Sequence, residues 1–166
     1  FAVEYALADL LRYWGVEPDF VIGHSVGELA AACVADVLDL EDAIRFVVAR
    51  GRLMGALPEG GKMVAIGTDV EHARQWIAGR EAEVSIATVN GPQSVVISGQ
   101  GQAVEAVAEL AQEAGLRTTP LEVSHAFHSP LMDPILAELA GVAASMHLAP
   151  ARIPIVSNVT GDFYAD

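Results

Sequence analysis

A serine between two glycines is the first residue whose surroundings suggest chemistry. Ser25 lies in Gly23-His24-Ser25-Val26-Gly27, which fits G-x-S-x-G, with an apolar stretch before it and a helix-forming stretch after it. At a strand-to-helix turn this pattern holds the serine in strained backbone and presents its hydroxyl at the end of the strand. The N–H of Val26, at the helix start, would then face an oxyanion. The pattern predicts a nucleophile, although a serine that merely caps the helix also fits these five residues.

A nucleophilic serine needs a base, and the chain has five histidines: His24, His72, His125, His128 and His147. The polar or small surroundings of His72 and His147 favour solvated rings, and His24, adjacent to the serine, should point elsewhere. His125 and His128 form HAFH at the end of a predicted strand, and loops held by rigid elements concentrate reactive groups. A neutral imidazole can take the serine proton and return it to a leaving group. The residues leave open which of the two is the base, and whether either has only a packing role.

Composition limits the possible partners. The 166 residues are 52% hydrophobic, enough for the core of a soluble globular domain. A net charge of −13 disfavours binding to nucleic acid or to an anionic membrane. No stretch reaches the roughly 18 apolar residues of a membrane span, and the single Cys33 excludes an internal disulfide. No Cys/His spacing resembles a zinc site, so we expect a metal-free, cytoplasmic protein.

The elements around the serine follow an α/β pattern. A short buried strand is predicted over Asp19–Ile22, a helix over Val26–Val37 and a second helix over Leu40–Leu57, whose acidic first turn suits a helix start. Apolar residues at helical spacing predict a further helix over residues 1–15. Pro58–Gly61 then breaks the pattern.

Residues 62–123 have a different rhythm, β-α-β-β-α-β, which is the ferredoxin-like arrangement. We expect this small subdomain to be inserted in a hydrolase-like larger subdomain with a parallel sheet, formed by residues 1–61 and 124–166. Within the last segment a helix is predicted over Pro130–Ser145 and a strand over Ile153–Ser157. Because the chain starts inside a helix and ends on a strand and turn, we expect a fragment of a larger domain with an incomplete sheet.

GHSVGE, HAFHSPLMDP and the β-α-β-β-α-β insertion together give a specific resemblance. The chain resembles the acyltransferase domain of modular type I polyketide synthases and, more distantly, malonyl-CoA:acyl carrier protein transacylases, over essentially its whole length. The resemblance implies an acyltransferase without a bound cofactor that takes malonyl-CoA by a ping-pong mechanism. The implied partners are an acyl carrier protein, whose phosphopantetheine thiol receives the acyl group, and a neighbouring ketosynthase domain.

Carried over by position, the resemblance makes Ser25 the nucleophile, His128 the base and His125 a pocket residue. HAFH accompanies malonyl selection in the family, whereas YASH accompanies methylmalonyl selection, and Val26 replaces a glutamine common in the latter. The ring of Phe127 would crowd an α-methyl branch, unless it simply fills the core. Discrimination of one methylene is worth only about 1–3 kcal/mol, so selectivity should be leaky.

The family uses an arginine after the nucleophile to hold the free carboxylate of the extender unit, and Arg50 is the match here. A guanidinium binds a carboxylate through two parallel hydrogen bonds, but the sequence alone ranks Arg45 and Arg52 equally. The resemblance also places His24 and Asn90 near the substrate, with turn formation the simpler role for Asn90. A side-chain oxyanion donor is implied outside these 166 residues.

Two other functions fit parts of the pattern. An esterase or thioesterase of the α/β-hydrolase type would use the same serine in the order serine, acid, histidine. A non-catalytic fragment that docks a carrier protein is the second alternative, which the acidic charge disfavours because carrier proteins are themselves acidic.

Overall fold

The computed structural model describes residues 1–164, which divide into two compact units. The first unit comprises Phe1–Arg52 and the chain from Glu138 onward, and the second comprises Leu53–Ala137. All of the predicted insertion, residues 62–123, lies in the second unit, which also contains the HAFH loop. The predicted boundaries at 62 and 123 stay a prediction.

Six helices and six strands are found in the described part of the chain, with one short 3-10 helix at Pro130–Met132. The elements are α1 (Ala2–Tyr13), β1 (Val21–Ile22), α2 (Gly27–Val34), α3 (Leu40–Gly55), β2 (Gly61–Ile66), α4 (Val70–Ile77), β3 (Val84–Gly91), β4 (Ser94–Gln100), α5 (Gly101–Glu113), β5 (Thr118–Pro120), α6 (Asp133–Ala144) and β6 (Ile155–Val156). This mixture of helices with parallel and antiparallel strands confirms the α/β class. Within residues 1–164, none of the helices has the length and apolar content that crossing a membrane requires.

The first unit contains the parallel pairing. β1 and β6 lie side by side with Val21 opposite Ile155 and Ile22 opposite Val156. Both strands are shorter than predicted, and Pro154, which has no N–H to donate, precedes β6. The buried cluster of this unit consists of Cys33, Leu38 and Ala43, with partly buried neighbours such as Phe1 and Tyr5 of the α1 region. No residue of α1 itself is buried.

The second unit is built on a four-stranded antiparallel sheet of order β3-β4-β2-β5. Its β-α-β-β-α-β order is the one predicted. The strands and α5 supply most of a buried cluster of Val64, Ile66, Ile77, Val84, Ile97, Ala103, Val104, Val107, Ala108 and Ala111. This cluster holds in place β2 and β3, the strands that contact the HAFH loop through Gly61 and Ser85.

The predicted helix over Pro130–Ser145 divides into the 3-10 helix and α6. Pro134 has no N–H with which to bond the carbonyl of Pro130, as a continuous α-helix would require. The N–H of Asp133 instead donates to Pro130 in a 3-10 turn, and the hydroxyl of Ser129 accepts a hydrogen bond from Leu131 to cap that turn. The loop after HAFH is therefore short and constrained at its end.

Candidate functional site

Ser25 lies on a strained turn between β1 and α2. Its φ is 54°, in the left-handed region that non-glycine residues seldom adopt. The Gly27 N–H donates to the His24 carbonyl and the Glu28 N–H donates to Ser25, which closes the turn. A Cβ on Gly23 would lie 2.3 Å from the backbone of Gly27 and Glu28, so only glycine fits there. The strained turn predicted from G-x-S-x-G is therefore present.

Val26 precedes the first residue of α2 in helical backbone, with φ −61° and ψ −21°. Its carbonyl accepts from Leu29, and the series of turn hydrogen bonds begins with the N–H of Gly27, one residue later. The N–H of Val26 thus belongs to the N-terminal end of the helix, where backbone N–H groups favour negative charge. The Val26 amide is suited to face an oxyanion.

Cys33 does not compete with the serine as a nucleophile. It is buried in α2, and burial raises the pKa of its thiol to about 11. A thiol with so high a pKa holds almost no thiolate at neutral pH. The hydroxyl at the strained turn is the better candidate in this unit.

His125 anchors the HAFH loop inside the second unit. Its buried ring places Nε2 3.0 Å from the carbonyl oxygen of Leu57 and Nδ1 3.0 Å from the hydroxyl of Ser124. Because a carbonyl oxygen only accepts, Nε2 carries the proton and donates. The Phe127 ring lies 6.2 Å from the His125 ring, tilted by 49°. Both ring nitrogens of His125 are therefore engaged in holding the loop.

The loop also lies tightly against the start of β2. A Cβ on Gly61 would lie 2.6 Å from the Cβ of Ala126. The hydroxyl of Ser129 donates to the carbonyl of Ala126 at 2.6 Å. The path of the loop is set on both sides of Phe127.

His128 has an exposed side chain and a second strained backbone. Its φ is 59°, and its carbonyl accepts a hydrogen bond from the Ser85 hydroxyl at 2.9 Å. Among residues 1–164, the non-glycine residues with positive φ are Ser25, Asp36 and His128. Asp36 follows the C-terminus of α2, where left-handed residues are common. The other two are the predicted nucleophile and base.

Arg50 differs from the other arginines of α3. Arg45 donates to Asp42 and Arg52 donates to Glu138, whereas the half-buried Arg50 forms no ion pair with another of the described residues. Burial lowers the pKa of the Arg50 guanidinium from its ordinary value. A half-buried cation without a carboxylate partner is suited to bind an anion.

The remaining predicted residues have local roles in the structure. His24 is exposed and lines a cavity of about 650 Å³ in the first unit. Asn90, also exposed, accepts a hydrogen bond from Thr88 at 3.0 Å near the β3–β4 turn. His72 is exposed, as expected, and its Nδ1 lies 2.8 Å from Asp69. Within residues 1–164 no group of three His, Cys, Asp or Glu side chains is arranged to hold a metal ion.

The predicted site residues belong to different units. Ser25, Val26, His24 and Arg50 belong to the first unit, and His125, Phe127, His128 and Asn90 belong to the second. The contacts of HAFH with Leu57 and Ser85 could not be predicted from the sequence, because no motif or spacing relates either residue to the loop.

Comparison with known proteins identifies relatives over the whole chain. Residues 1–163 match the family model described as "Acyl transferase domain". Mycoketide-CoA synthase of Mycobacterium tuberculosis is 56% identical over 166 residues, which are 100% of this chain and 4% of that protein.

Two solved structures share the fold. The acyltransferase domain from the second module of the salinomycin polyketide synthase has a TM-score of 0.95 and 51% identity, covering 99% of this chain and 39% of that one. An acyl carrier protein S-malonyltransferase from Vibrio cholerae O1 biovar eltor has a TM-score of 0.90 and 36% identity, covering 98% of this chain and 56% of that one. The chain therefore spans less than two thirds of each of these relatives.

Proposed function

We propose a reaction for this chain on the premise that it belongs to the acyl transferase domain family, with polyketide synthases among its homologues. The resemblance stated from GHSVGE and HAFHSPLMDP is thereby confirmed. The proposed reaction moves a malonyl extender unit from malonyl-CoA to the phosphopantetheine thiol of an acyl carrier protein. The malonyl group and the carrier protein belong to the proposal.

The proposed reaction has two half-reactions. Ser25 Oγ attacks the thioester carbonyl while His128 takes its proton, and the Val26 N–H stabilises the oxyanion. The C–S bond then breaks, and coenzyme A leaves with the proton from His128. In the second half-reaction His128 takes the proton of the carrier thiol, and the thiolate attacks the acyl ester. The ester C–O bond then breaks, and Ser25 Oγ leaves with the proton from His128. No resident cofactor takes part in these steps.

The strained backbone at Ser25 and His128 is the observation that carries the proposal. Left-handed backbone in a non-glycine residue costs of order 1–3 kcal/mol and tends to persist where function requires it. Of the positive-φ residues other than glycine within residues 1–164, only Asp36 follows a helix C-terminus, where this conformation is common, and Ser25 and His128 do not. The strain favours a functional role for each of the two residues.

The proposed malonyl preference is supported by Arg50 and by the loop sequence. A carboxylate bound by Arg50 would offset the cost of keeping its guanidinium half-buried. The Vibrio cholerae relative is an S-malonyltransferase, which fits the same substrate class. We propose that His24, His125 and Phe127 line the acyl pocket. The Thr88 contact favours a turn role for Asn90.

We also propose a subdomain type for each unit, a neighbouring domain and a cellular location. The parallel β1–β6 pair fits part of a hydrolase-like larger subdomain, and the antiparallel order β3-β4-β2-β5 fits a ferredoxin-like smaller one. A ketosynthase domain is the proposed neighbour, as the family resemblance implies, and the chain covers only 4% of the mycoketide-CoA synthase that it matches, which leaves room for further domains in that relative. A cytoplasmic location and the absence of nucleic-acid and membrane partners are proposed from the composition.

Intact-protein mass spectrometry tests the proposed reaction. The protein is mixed with malonyl-CoA and methylmalonyl-CoA together, and the mass gained reports acylation and selectivity at once. We expect a malonyl adduct that is lost in Ser25→Ala and formed about 10²–10⁴ times more slowly in His128→Ala. The exposed histidine His72 provides the control, since His72→Ala should acylate normally. Labelling of Ser25→Ala would contradict the proposal, and fast hydrolysis of simple esters without a malonyl adduct would favour an esterase.

The role of Arg50 has its own test. Arg50→Gln should weaken the use of malonyl-CoA and spare acetyl-CoA, which has no free carboxylate. The matched control is Arg45→Gln in the same helix, because Arg45 already pairs with Asp42. Equal losses for malonyl-CoA and acetyl-CoA in Arg50→Gln would contradict a carboxylate-binding role.

A further inference from the structure

We propose that Ser85 is a positioning residue that holds His128 in its strained backbone conformation. The inference rests on the proposed role of His128 as the base. Ser85 lies on β3 and donates its hydroxyl hydrogen to the His128 carbonyl, 43 residues later in the chain, at 2.9 Å. It touches the backbone of His128 and acts through that residue.

The strand that carries Ser85 is firmly fixed. Val84, immediately before it, is fully buried in the core of the second unit, and Ile86, immediately after it, packs against that core. Ser85 lies opposite Ser98 in the antiparallel β3–β4 register. Because the strand is fixed, a hydroxyl on it can hold a loop in one position. A side chain on a flexible segment could not do so.

Two other anchors of the loop hold the residues on either side of His128, and the Ser85 hydroxyl acts on the His128 carbonyl itself. His125 binds the Leu57 carbonyl before His128, and Ser129 binds the Ala126 carbonyl after it. The direction of the His128 carbonyl determines ψ of that residue, and the left-handed φ of 59° is unfavourable for a side chain with a Cβ. Without the Ser85 hydroxyl, the backbone would relax toward negative φ. The Cα–Cβ direction, and with it the imidazole, would then turn.

Ser98 supplies a matched control within the same sheet. It lies opposite Ser85, so the two side chains point to the same face. Ser98 is fully buried, and its hydroxyl has no hydrogen-bond partner in the described part of the chain. Removing the Ser98 hydroxyl therefore leaves every observed hydrogen bond intact, whereas removing the Ser85 hydroxyl breaks the bond to His128.

The test measures single-turnover acylation by malonyl-CoA in the full chain. Ser85→Ala should lower the acylation rate constant about tenfold, equivalent to about 1.4 kcal/mol, with little change in the malonyl-CoA concentration needed for half-maximal rate. Ser98→Ala should keep the wild-type rate. Ser85→Thr and Ser85→Val have nearly the same shape and differ in the hydroxyl, so Thr should keep most of the rate and Val should lose it. Equal rates in these two variants would overturn the proposal.

A double mutant separates positioning from general structural damage. In a His128→Ala background, Ser85→Ala should cause no further loss, because the group that it positions is absent. A second tenfold loss in that background would overturn the proposal. If His128→Ala itself acylates at the wild-type rate, the proposed function fails. If His128→Ala is slow and Ser85→Ala is fast, the function stands and only the positioning role fails.

Discussion

The two units differ in how completely each buries its own apolar residues. The second unit encloses a ten-residue cluster beneath a four-stranded sheet. The first unit has a cluster of three buried residues and a pair of two-residue strands. Among the described residues, the exposed large apolar side chains of the second unit are Val89, Leu110, Leu121 and Leu136, whereas the first unit exposes many more, including Val3, Leu7, Leu10, Leu11, Tyr13, Trp14, Val16, Phe20 and Ile22.

The two proposed catalytic residues are therefore held in different ways. Ser25 is held locally, by glycines and by the turn into α2, on a unit with a small core. His128 is held by contacts from a strand and a loop on a unit with a large core. We therefore expect loss of stability in the second unit to affect the position of His128 more than that of Ser25. Changes to the glycines of the turn should affect the position of Ser25 more.

The largest expected effect comes from emptying the larger core. Ile97 is fully buried in β4, so Ile97→Ala should lower the free energy of unfolding of the second unit by about 2–5 kcal/mol. Leu38→Ala in the first unit should cost less, because partly buried neighbours can relax into the space. Urea unfolding followed by hydrogen exchange in peptides of each unit measures both. A larger loss for Leu38→Ala would contradict the comparison.

Acid should destabilise the first unit by protonating Asp42. This buried carboxylate accepts hydrogen bonds from the His147 N–H at 2.9 Å and from Arg45 at 2.7 Å. The His147 bond and, less strongly, the charge of Arg45 hold the pKa of Asp42 below its usual value. Its stabilisation is therefore complete above the unfolded-state pKa of about 3.9 and is lost as pH falls through the lower folded-state pKa.

Asp42→Asn tests this pH dependence. The variant should be less stable near neutral pH and should lose stability less steeply in acid, as measured by thermal unfolding from pH 7 to pH 2. Asp9→Asn, at an exposed position of α1, is the control and should keep the wild-type slope. An unchanged slope in Asp42→Asn would contradict the assignment.

A smaller gain is expected at a glycine in α3. Gly51 is exposed, and a Cβ there would meet nothing within 4 Å. Gly51→Ala should therefore raise the free energy of unfolding of the first unit by about 0.5–1 kcal/mol through helix propensity. Gly61→Ala in the second unit should be destabilising, since its Cβ would overlap Ala126. Denaturant midpoints compare the two, and a loss on Gly51→Ala would be the opposite of what open space predicts.

The smallest expected effect is at the surface of α1. Leu7 is 54% exposed, so Leu7→Ser should change the free energy of unfolding by less than about 0.5 kcal/mol. It should nevertheless reduce binding of an apolar dye, because the first unit exposes a large apolar surface. Leu110→Ser in the second unit is the control and should change dye binding less. Equal reductions would show that the two surfaces are alike.

Local patterns in the sequence predicted the fold well, and contacts between distant segments accounted for the rest. G-x-S-x-G predicted the turn at Ser25 because its geometry depends on neighbouring residues. The succession of strand-like and helix-like segments predicted the β-α-β-β-α-β order of elements along the chain in the second unit. The ends of elements were less predictable. The predicted helix from Pro130 is interrupted because Pro134 has no N–H to donate to the Pro130 carbonyl, and the place of the interruption depends on that one missing hydrogen bond. The Ser85 contact joins residues that share no motif, so only the folded chain reveals it.

The close approach of Gly61 to Ala126 has a consequence for loop exchange. The YASH motif that the family resemblance sets against HAFH also has alanine at this position, so we expect that grafting it would preserve the fit to Gly61. A graft with a larger residue at that position would push directly against the beginning of β2. Any library that diversifies the loop to test the proposed extender preference should keep that alanine fixed, and should vary the positions on either side of it.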